Sequence, residues 1–428
     1  MPSSAPLRRA DVAVIGAGVI GLTTAWRLAV SLGGGRAGGA GDGGADRGRP
    51  DGGGTARVVL VDPEPGRGAS WAAAGMLAPV SEAHYGEERL IELNLRAAAA
   101  WPRFAAELES LSGRRVGYRR DGTLVVAADA GDRAVLEELL AFQRELGLPT
   151  QWCPPSRCRE LEPGLAPGLR GGILATQDHQ VDNRLLVEAL LAACRVAGVE
   201  VLERPVDELL VAGGSVRGLR LGEDELPADI VVLAAGYRSG ALAGLPAGAL
   251  PPVRPVKGQI LRLRVRRRGP GASGLAPLGM TVRGVVSAAS VYLVPRSPAT
   301  AGGTEAAAAV SGVVVGATVE EAGEDLSVTV EAVHRLLSDA RAVLPGIAEL
   351  ELAESIARLR PGSPDNAPLI GPAGPEPLSG LVVATGHYRN GILLAPATAD
   401  AVLGLLEHGS LPPWAAAFAP SRLGLAAR

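Results

Sequence analysis

Apolar and polar positions in the first sixty residues follow a pattern of strand, glycine-rich turn, helix and strand. Residues 12–15 form a short apolar run, which is typical of a buried strand. Apolar residues then recur with helical spacing from Leu22 to Leu32, and a second apolar run covers 57–61. Strands that alternate with helices predict a parallel sheet with helices on its faces.

The middle of the chain departs from this pattern and then returns to it. Amphipathic helices are predicted over 87–112 and 129–147, with a hairpin signal over 118–128 centred on Asp121-Gly122. Buried strands and one helix follow. The strands are predicted over 172–175, 199–202 and 229–234, and the helix over 185–196 with Asp182 or Asn183 as its N-cap.

From Pro255 the pattern changes to strands joined by turns. Strands are predicted over 257–265, 282–286, 290–294 and 312–319, with no crossover helices, which predicts an antiparallel sheet. A helix over 326–344, strands over 352–360 and 381–385, and a last helix over 392–406 complete the chain. We therefore expect an α/β dinucleotide domain from residues 1–86, 172–250 and 351–428. A second α+β domain, built on an antiparallel sheet, should come from 87–171 and 251–350.

The first turn carries a pattern that binds dinucleotides. Gly16, Gly18 and Gly21 form G-x-G-x-x-G between the predicted strand and helix. The first glycine permits the tight turn, the second lets the backbone approach a pyrophosphate, and the third lets the helix pack closely. Asp62 ends the second strand, where an acid can accept hydrogen bonds from a ribose.

Asp62 lies further along the chain than such an acid usually does, because residues 33–56 are inserted before the second strand. Residues 33–54 contain 12 glycines and almost no apolar side chains. A segment of this composition buries too little surface to offset its ordering entropy. We interpret it as a disordered insertion on the helix-to-strand connection, and 297–309 as a low-complexity loop at a hairpin tip.

Composition excludes several classes of function. The 428 residues carry a net charge of −3, which gives no sign of a nucleic-acid partner. The absence of a signal peptide or an 18-residue apolar run leads us to expect a cytoplasmic protein without a membrane partner. The three cysteines suggest no disulfide framework, and neither they nor the five histidines predict a metal site.

Several longer motifs resemble those of the D-amino-acid oxidase superfamily of flavoproteins, and most closely its glycine oxidase branch. They are the N-terminal fingerprint, Ser-Trp-Ala-Ala-Ala-Gly-Met-Leu at 70–77, Val-Tyr-Leu-Val-Pro at 291–295, Arg-Leu-Arg-Pro-Gly-Ser at 358–363 and Gly-His-Tyr-Arg-Asn-Gly-Ile-Leu-Leu-Ala-Pro at 386–396. The likeness covers the chain apart from 33–56 and 297–309.

This resemblance implies a non-covalent FAD, since the relatives that attach flavin to a cysteine do so in the C-terminal half, where this chain has none. It implies an amino-acid substrate, oxygen as electron acceptor and a homo-oligomer, because relatives are often tetramers. The implied cofactor-binding residues are Gly16, Gly18, Val19, Ile20, Gly21, Asp62, Pro63, Ala69, Ser70, Ala74, Gly75, Met76, Val206, His387, Tyr388, Arg389, Asn390, Gly391, Ile392 and Leu393.

The resemblance also assigns Tyr292, Arg360 and Arg389 as catalytic and substrate-binding residues. Arginine suits an amino-acid carboxylate because its planar fork makes two charge-assisted hydrogen bonds. No general base is needed if a neutral amine gives a hydride to the flavin. Ser290 and Val319 stand where glycine oxidases have histidine and methionine. These departures leave open a preference for sarcosine or D-amino acids, and a quinone as acceptor is also open. A flavin-binding protein without catalysis and an NAD enzyme are disfavoured by the three substrate residues and the 386–396 motif.

The insertion gives the first prediction. Deleting residues 34–54 should leave bound FAD per chain and specific activity close to those of the parent protein, because an exposed connection contributes little to the fold. Flavin absorbance of the purified deletion variant measures this. Loss of bound FAD would show that the segment belongs to the folded domain.

Overall fold

A computed structural model of the chain describes residues 7–33, 56–265, 278–286, 289–296, 312–374 and 378–424. Most of the glycine-rich insertion and all of the 297–309 segment lie outside the described residues.

The described strands and helices are numbered in chain order. The strands are β1 Ala10–Ile15, β2 Val58–Val61, β3 Met76–Leu77, β4 Thr123–Ala127, β5 Thr150–Cys153, β6 Gly172–Ala175, β7 His179–Gln180, β8 Glu200–Leu202, β9 Glu208–Ala212, β10 Ser215–Leu221, β11 Asp224–Leu233, β12 Arg254–Arg264, β13 Thr281–Val286, β14 Ala289–Arg296, β15 Gly312–Gly316, β16 Glu351–Gly362, β17 Leu369–Pro372 and β18 Leu381–Thr385. The α-helices are α1 Val19–Gly33, α2 Ala69–Ala72, α3 Glu88–Ser112, α4 Ala130–Glu145, α5 Pro155–Leu161, α6 Asn183–Val196, α7 Val330–Val343 and α8 Gly391–His408.

The first sheet is the expected dinucleotide sheet. Its order is β17-β18-β11-β1-β2-β8, and β1 pairs in parallel with both β2 and β11. The adjoining strands β9 and β10 form an antiparallel hairpin that the sequence analysis did not identify. Apolar side chains are buried on both faces of the sheet, against α1, α3, α6 and α8 on one face. Burial on both faces explains why its strands have continuous apolar runs.

The second sheet is mixed rather than purely antiparallel. Its order is β16-β12-β15-β14-β13-β4-β6-β5, and β13 pairs in parallel with β4. The hairpin expected over 118–128 is wrong: β4 pairs with β6 and β13, and Arg119 bridges to Gln180 instead. Gly122 does turn the chain, with φ of +83°, but the residues before it do not pair with β4.

Two strands lie on the other side of the division that the sequence predicted. Residues 172–175 and 351–362 were assigned to the dinucleotide domain, yet β6 and β16 hydrogen-bond within the second sheet. The assignment of the remaining segments to two domains stays a proposal. In this arrangement β16 places its residues at the boundary between the two sheets.

The six helices that the sequence predicted mostly begin and end near their expected positions, whereas the short helices α2 and α5 were not predicted. The exception is α7, which begins at Val330 instead of Leu326, because the side chain of Thr329 caps the helix by accepting from the Ala332 N–H. Asp182 is the N-cap of α6, where its carboxylate accepts from the Arg184 N–H at 2.9 Å.

Residues Tyr388–His408 are long and apolar enough to cross a membrane by length and composition. However, 61% of its apolar 18-residue window is buried inside the protein, where α8 packs against α1 and α3. Its apolar character is therefore that of a core helix.

Candidate active site

A cavity of about 1300 Å³ runs between the two sheets. One end is lined by the N-terminus of α1 and by Asp62, and the other by Tyr292, Arg360 and the segment that precedes α8. This volume exceeds the roughly 300–1,000 Å³ typical of a site for one drug-sized ligand. The cavity can therefore hold a dinucleotide together with a small substrate.

The three glycines of the first turn have distinct environments. Gly16 has φ of +97°, and a Cβ there would lie 2.5 Å from the carbonyl oxygen of Ala234 on the neighbouring strand. Gly18 lines the cavity, and a Cβ there would meet only the Ser70 Oγ at 3.4 Å. A Cβ on Gly21 would overlap the carbonyl oxygen of Gly16. The turn therefore needs Gly16 and Gly21 for its shape and leaves Gly18 as the open approach to the helix N-terminus.

Asp62 and Ser70 fix the entrance to this helix. The Asp62 carboxylate accepts from the Ala17 N–H at 2.7 Å and from the Glu64 N–H at 2.8 Å. The Ser70 Oγ accepts from the Val19 N–H at 2.9 Å. Asp62 is thereby held at the end of β2 and faces the cavity, in the position that a ribose hydroxyl requires.

The segment before α8 forms a tight turn beside the cavity. Gly386 has φ of +72°, and Tyr388 adopts φ of +46°, which is rare for a residue with a large side chain. Such backbone strain persists only where surrounding structure holds it, and it is common at functional sites. The turn directs the N-terminus of α8 at the cavity, where its partial positive charge favours an anion.

Arg360 lies near the end of β16 and is half-buried in the cavity wall. Its guanidinium donates to the carbonyl oxygen of Thr318 at 3.0 Å and to that of Lys257 at 3.5 Å. Among the described residues, no carboxylate lies within ion-pair distance of it. A charged group that is held by carbonyls alone remains available to an anionic ligand.

A cluster of charged and polar groups around the buried Lys257 holds the Thr318 carbonyl in place. Lys257 is 1% exposed and forms ion pairs with Asp325 and, at 3.6 Å, with Glu320. The backbone groups of Lys257 and Glu320 exchange two hydrogen bonds of 2.9 and 3.0 Å. Gln259 donates from its backbone to the Thr318 hydroxyl at 2.9 Å. The acceptor of Arg360 is therefore rigid, although none of these side chains lines the cavity.

Tyr292 extends from β14 into the same part of the cavity. Burial raises the pKa of its hydroxyl, and the neighbouring positive charge of Arg360 acts in the opposite direction. The hydroxyl therefore stays protonated at neutral pH and is available as a hydrogen-bond donor beside the guanidinium.

Two further arginines of the cavity are already neutralised. Arg389, which the sequence analysis paired with Arg360 as a substrate ligand, forms an ion pair with Glu87 at the start of α3. Arg283 donates to the carbonyl oxygen of Ser81 at 2.9 Å and lies 3.5 Å from Glu82. Arg283 and Arg389 thus both face carboxylates from one segment, residues 81–87.

Most of the predicted site residues line this one cavity. Those that do are Gly16, Gly18, Val19, Ile20, Asp62, Pro63, Ala69, Ser70, Ala74, Gly75, Met76, Val206, Tyr292, Arg360, His387, Tyr388, Arg389, Gly391 and Ile392. Gly21, Asn390 and Leu393 do not line it. Asn390 and Leu393 are buried, and the Leu393 carbonyl accepts from the indole of Trp101 at 2.9 Å, so these two residues support the turn from behind.

Sequence reasoning missed the carboxylates and several cavity residues. Glu82, Glu87 and Arg283 have no local motif, and only long-range contacts bring them to the site. Ala235 and Gly236 also line the cavity. They follow a predicted strand, as the first glycine turn does, and this position could have identified them as cavity residues. Within the described ranges, no group of three His, Cys, Asp or Glu residues could hold a metal ion.

A protein-family model described as "FAD dependent oxidoreductase" matches residues 11–405. The chain belongs to this family. FAD is therefore its cofactor, and the resemblance drawn from the sequence motifs is confirmed.

Similar proteins agree with this assignment. The chain is 31% identical to glycine oxidase of Pseudomonas putida over 97% of its own length and 99% of the relative's. It is 30% identical to the bifunctional protein ThiO/ThiG of Trichormus variabilis over 96% of its length, and it spans only 55% of that relative. The crystal structure of glycine oxidase from Geobacillus kaustophilus aligns with a TM-score of 0.78 at 30% identity, covering 97% of this chain and 99% of that one.

The residues present fit FAD. The open face of Gly18 at the α1 N-terminus suits a pyrophosphate, and Asp62 suits a ribose. None of the three cysteines lines the cavity, and all three are buried elsewhere. We therefore propose that the cofactor is bound without a covalent bond.

Acid precipitation tests this proposal. Trichloroacetic acid should release all of the flavin into the supernatant, and chromatography should identify it as FAD, because the fold provides both a pyrophosphate and a ribose site. Flavin that remains with the protein pellet, or FMN in the extract, would contradict the assignment.

Buried His387 gives a prediction about stability. Burial lowers the pKa of its imidazole to about 3, and the Nε2 lies 2.9 Å from the Thr398 Oγ1. Since an unfolded histidine titrates near 6.5, the unfolded state binds more protons between these values, and stability falls as pH falls. Through this difference in the pKa of His387, the free energy of unfolding should fall by about 2 kcal/mol between pH 6.5 and pH 5.

Urea unfolding at pH 7, 6 and 5 measures how the free energy of unfolding depends on the protonation of His387. His387→Gln should lose less unfolding free energy than the parent over this range, and the exposed His334→Gln controls for the loss of an imidazole. Equal pH slopes for the parent and His387→Gln would show that His387 does not titrate differently on folding.

Proposed function

We propose that this chain is a glycine oxidase-type enzyme that converts glycine, water and oxygen to glyoxylate, ammonia and hydrogen peroxide. The observation that carries the proposal is Arg360, a cavity arginine with a rigid carbonyl acceptor and no carboxylate partner among the described residues. Glycine oxidases at about 30% identity over nearly the whole chain support the same activity.

Arg360 and Tyr292 would bind the substrate carboxylate together. The guanidinium supplies the compensating charge and the phenol a further hydrogen bond. Fixing the carboxylate between them orients the rest of a small amino acid along the cavity toward the turn before α8. Holding the substrate in this orientation lowers the entropic part of the activation barrier, which the uncatalysed reaction must overcome in full.

FAD, bound along the cavity, supplies the capacity to accept a hydride from the substrate Cα. The protein contributes positions and charge. The α8 N-terminus places partial positive charge beside the cavity, and the segment from His387 to Ile392 encloses one side of it. No cavity residue is assigned as a general base, because a substrate with a neutral amine has no proton to lose before hydride transfer.

Arg389 has a different role in this proposal from Arg360. Because Glu87 neutralises it, it keeps the 386–391 turn joined to the start of α3 and contributes little net charge to the substrate. The sequence-based assignment of Arg389 as a second carboxylate ligand therefore requires that Glu87 release it when substrate binds.

A preference for sarcosine or D-amino acids is favoured by one observation. Ser290 and Val319 both border the cavity, Ser290 is exposed, and Val319 is 63% exposed. The open side next to Tyr292 has room for an N-methyl group or a small side chain, so sarcosine and D-amino acids are candidate substrates. A role in thiamine biosynthesis, supplying the imine for thiazole synthesis, extends the proposal by analogy with relatives named ThiO/ThiG. We place the enzyme in the cytoplasm, where three free cysteines stay reduced.

A peroxide assay tests the activity. The purified, FAD-loaded protein is given glycine, sarcosine, D-alanine and D-proline in air, and peroxide and glyoxylate are measured. We expect peroxide from glycine in a one-to-one ratio with glyoxylate. Flavin that glycine bleaches without air, but that only a quinone reoxidises, would identify a dehydrogenase. No bleaching by any of the four amines would contradict the proposal.

Arg360 gives the most specific prediction. Removing one partner of a buried, hydrogen-bonded charge pair costs roughly 2–5 kcal/mol. Arg360→Ala should therefore lower kcat/KM for glycine roughly 30-fold to a few thousand-fold with FAD content unchanged. Arg360→Lys should recover only part of this, because an ammonium keeps the charge and loses the fork.

The control for this experiment is Arg264→Ala. Arg264 lies in the same sheet on β12 and forms an exposed ion pair with Glu351, so its loss should change kcat/KM little. A kcat/KM for Arg360→Ala within about threefold of the parent would place the carboxylate site elsewhere.

A further inference from the structure

Arg360 and Tyr292 come from strands that are not neighbours. The order of strands in this part of the second sheet is β16-β12-β15-β14, with Arg360 on β16 and Tyr292 on β14. Three strand spacings of about 4.8 Å separate the two backbones by about 14 Å. Two strands, β12 and β15, lie between them. For both side chains to reach one carboxylate, Arg360 must extend across β12 and Tyr292 across β15.

The strand crossed by Arg360 is β12, and the residue beneath the guanidinium is Gly258. A Cβ on Gly258 would lie 2.5 Å from both the Cζ and the Nη2 of Arg360. Contacts that short do not occur, so the guanidinium lies flat on the bare Cα of this glycine and reaches the Thr318 carbonyl beyond it.

The strand crossed by Tyr292 is β15, and the residue beneath the ring is Gly316. Tyr292 and Gly316 are direct cross-strand partners. A Cβ on Gly316 would lie 2.5 Å from the Cζ and 2.6 Å from the Cε2 of the ring. The phenol therefore leans over this glycine toward Arg360.

The space that both glycines leave open is filled by the side chain that crosses them. Neither residue has a positive φ, and the nearest atoms to the added Cβ are in both cases those of the crossing side chain. We propose that Gly258 and Gly316 are positioning residues for substrate recognition: as diagonal neighbours on the adjacent strands β12 and β15, they let Arg360 and Tyr292 converge on one carboxylate. This inference rests on the proposed function, since it supplies the geometry of that carboxylate site.

Gly258 differs from a glycine that is needed for close backbone packing, because the end of the Arg360 side chain occupies the space of its missing Cβ. The atoms that a methyl group would displace belong to the far end of a flexible side chain, so the fold can absorb Gly258→Ala while the guanidinium moves. Displacement of a recognition group by about 1 Å can cost up to roughly a hundredfold. In Gly258→Ala, the thermal stability of the protein should change little, whereas its affinity for a carboxylate ligand should fall greatly.

Acetate is the probe, because it presents the carboxylate of glycine without the amine. Its dissociation constant is measured from the change in flavin absorbance of the FAD-loaded protein. Gly258→Ala should raise this constant roughly tenfold to a hundredfold with FAD content unchanged, and it should raise KM for glycine more than it lowers kcat. The control Gly168→Ala adds a methyl group in an exposed loop with nothing within 4 Å, and it should match the parent.

A double-mutant cycle shows whether Gly258 acts through Arg360. In an Arg360→Ala background, adding Gly258→Ala should change the acetate dissociation constant by less than about twofold. If Gly258→Ala alone fails to fold or to bind FAD, the double variant should recover both, because the atoms nearest the added methyl group are gone.

Two results would overturn the inference. One is a Gly258→Ala variant that binds acetate within about twofold of the parent. The other is a double variant that remains unfolded, or that loses as much affinity from Gly258→Ala as the parent does. The proposed function fails separately: a parent that binds acetate but makes no peroxide from glycine would contradict the reaction, and it would leave the roles of Gly258 and Gly316 in carboxylate binding intact.

Discussion

Substrate recognition in this structure depends on the unpaired charge of Arg360. Arg360 is held inside a cavity by two backbone carbonyls, with no carboxylate partner among the described residues. Removing a cation from water without a counter-ion is costly, and a protein keeps such a group where a ligand completes the pair. The carboxylates of Glu320 and Asp325 are both paired with Lys257, and neither lies within ion-pair distance of Arg360, so this cluster can hold the Thr318 carbonyl without competing for Arg360.

Two other arginines of the cavity, Arg283 and Arg389, are paired with carboxylates, and this pairing favours Arg360 as the site for the substrate carboxylate. If Arg283 and Arg389 were free, a substrate carboxylate could bind to either of them instead of to Arg360. Glu82 and Glu87 prevent this, because each neutralises one of them from the same short segment between β3 and α3. Neutralisation of these two arginines leaves Arg360 as the arginine that binds a carboxylate together with Tyr292, which suits a small amino acid.

How much of this could be predicted from the sequence depends on how local each signal is. The β1 turn with its glycines and Asp62 depends on contacts within one strand–helix–strand unit, and the pattern predicted it. The pairing of β4 with β13 joins residues more than 150 positions apart, so the hairpin signal at Gly122 was misleading. The partner of Arg389 lies about 300 residues away, and an arginine in a motif does not reveal the carboxylate that faces it. Gly258 and Gly316 read as ordinary strand glycines until the sheet order shows which side chains lie over them.

A structure of the protein with FAD and acetate bound tests the central claim most directly. The account predicts that the acetate oxygens lie about 3 Å from the Arg360 guanidinium and the Tyr292 hydroxyl, with Arg389 still paired to Glu87. Acetate bound to Arg389 or Arg283 instead, with Arg360 contacting only the Thr318 and Lys257 carbonyls, would contradict it.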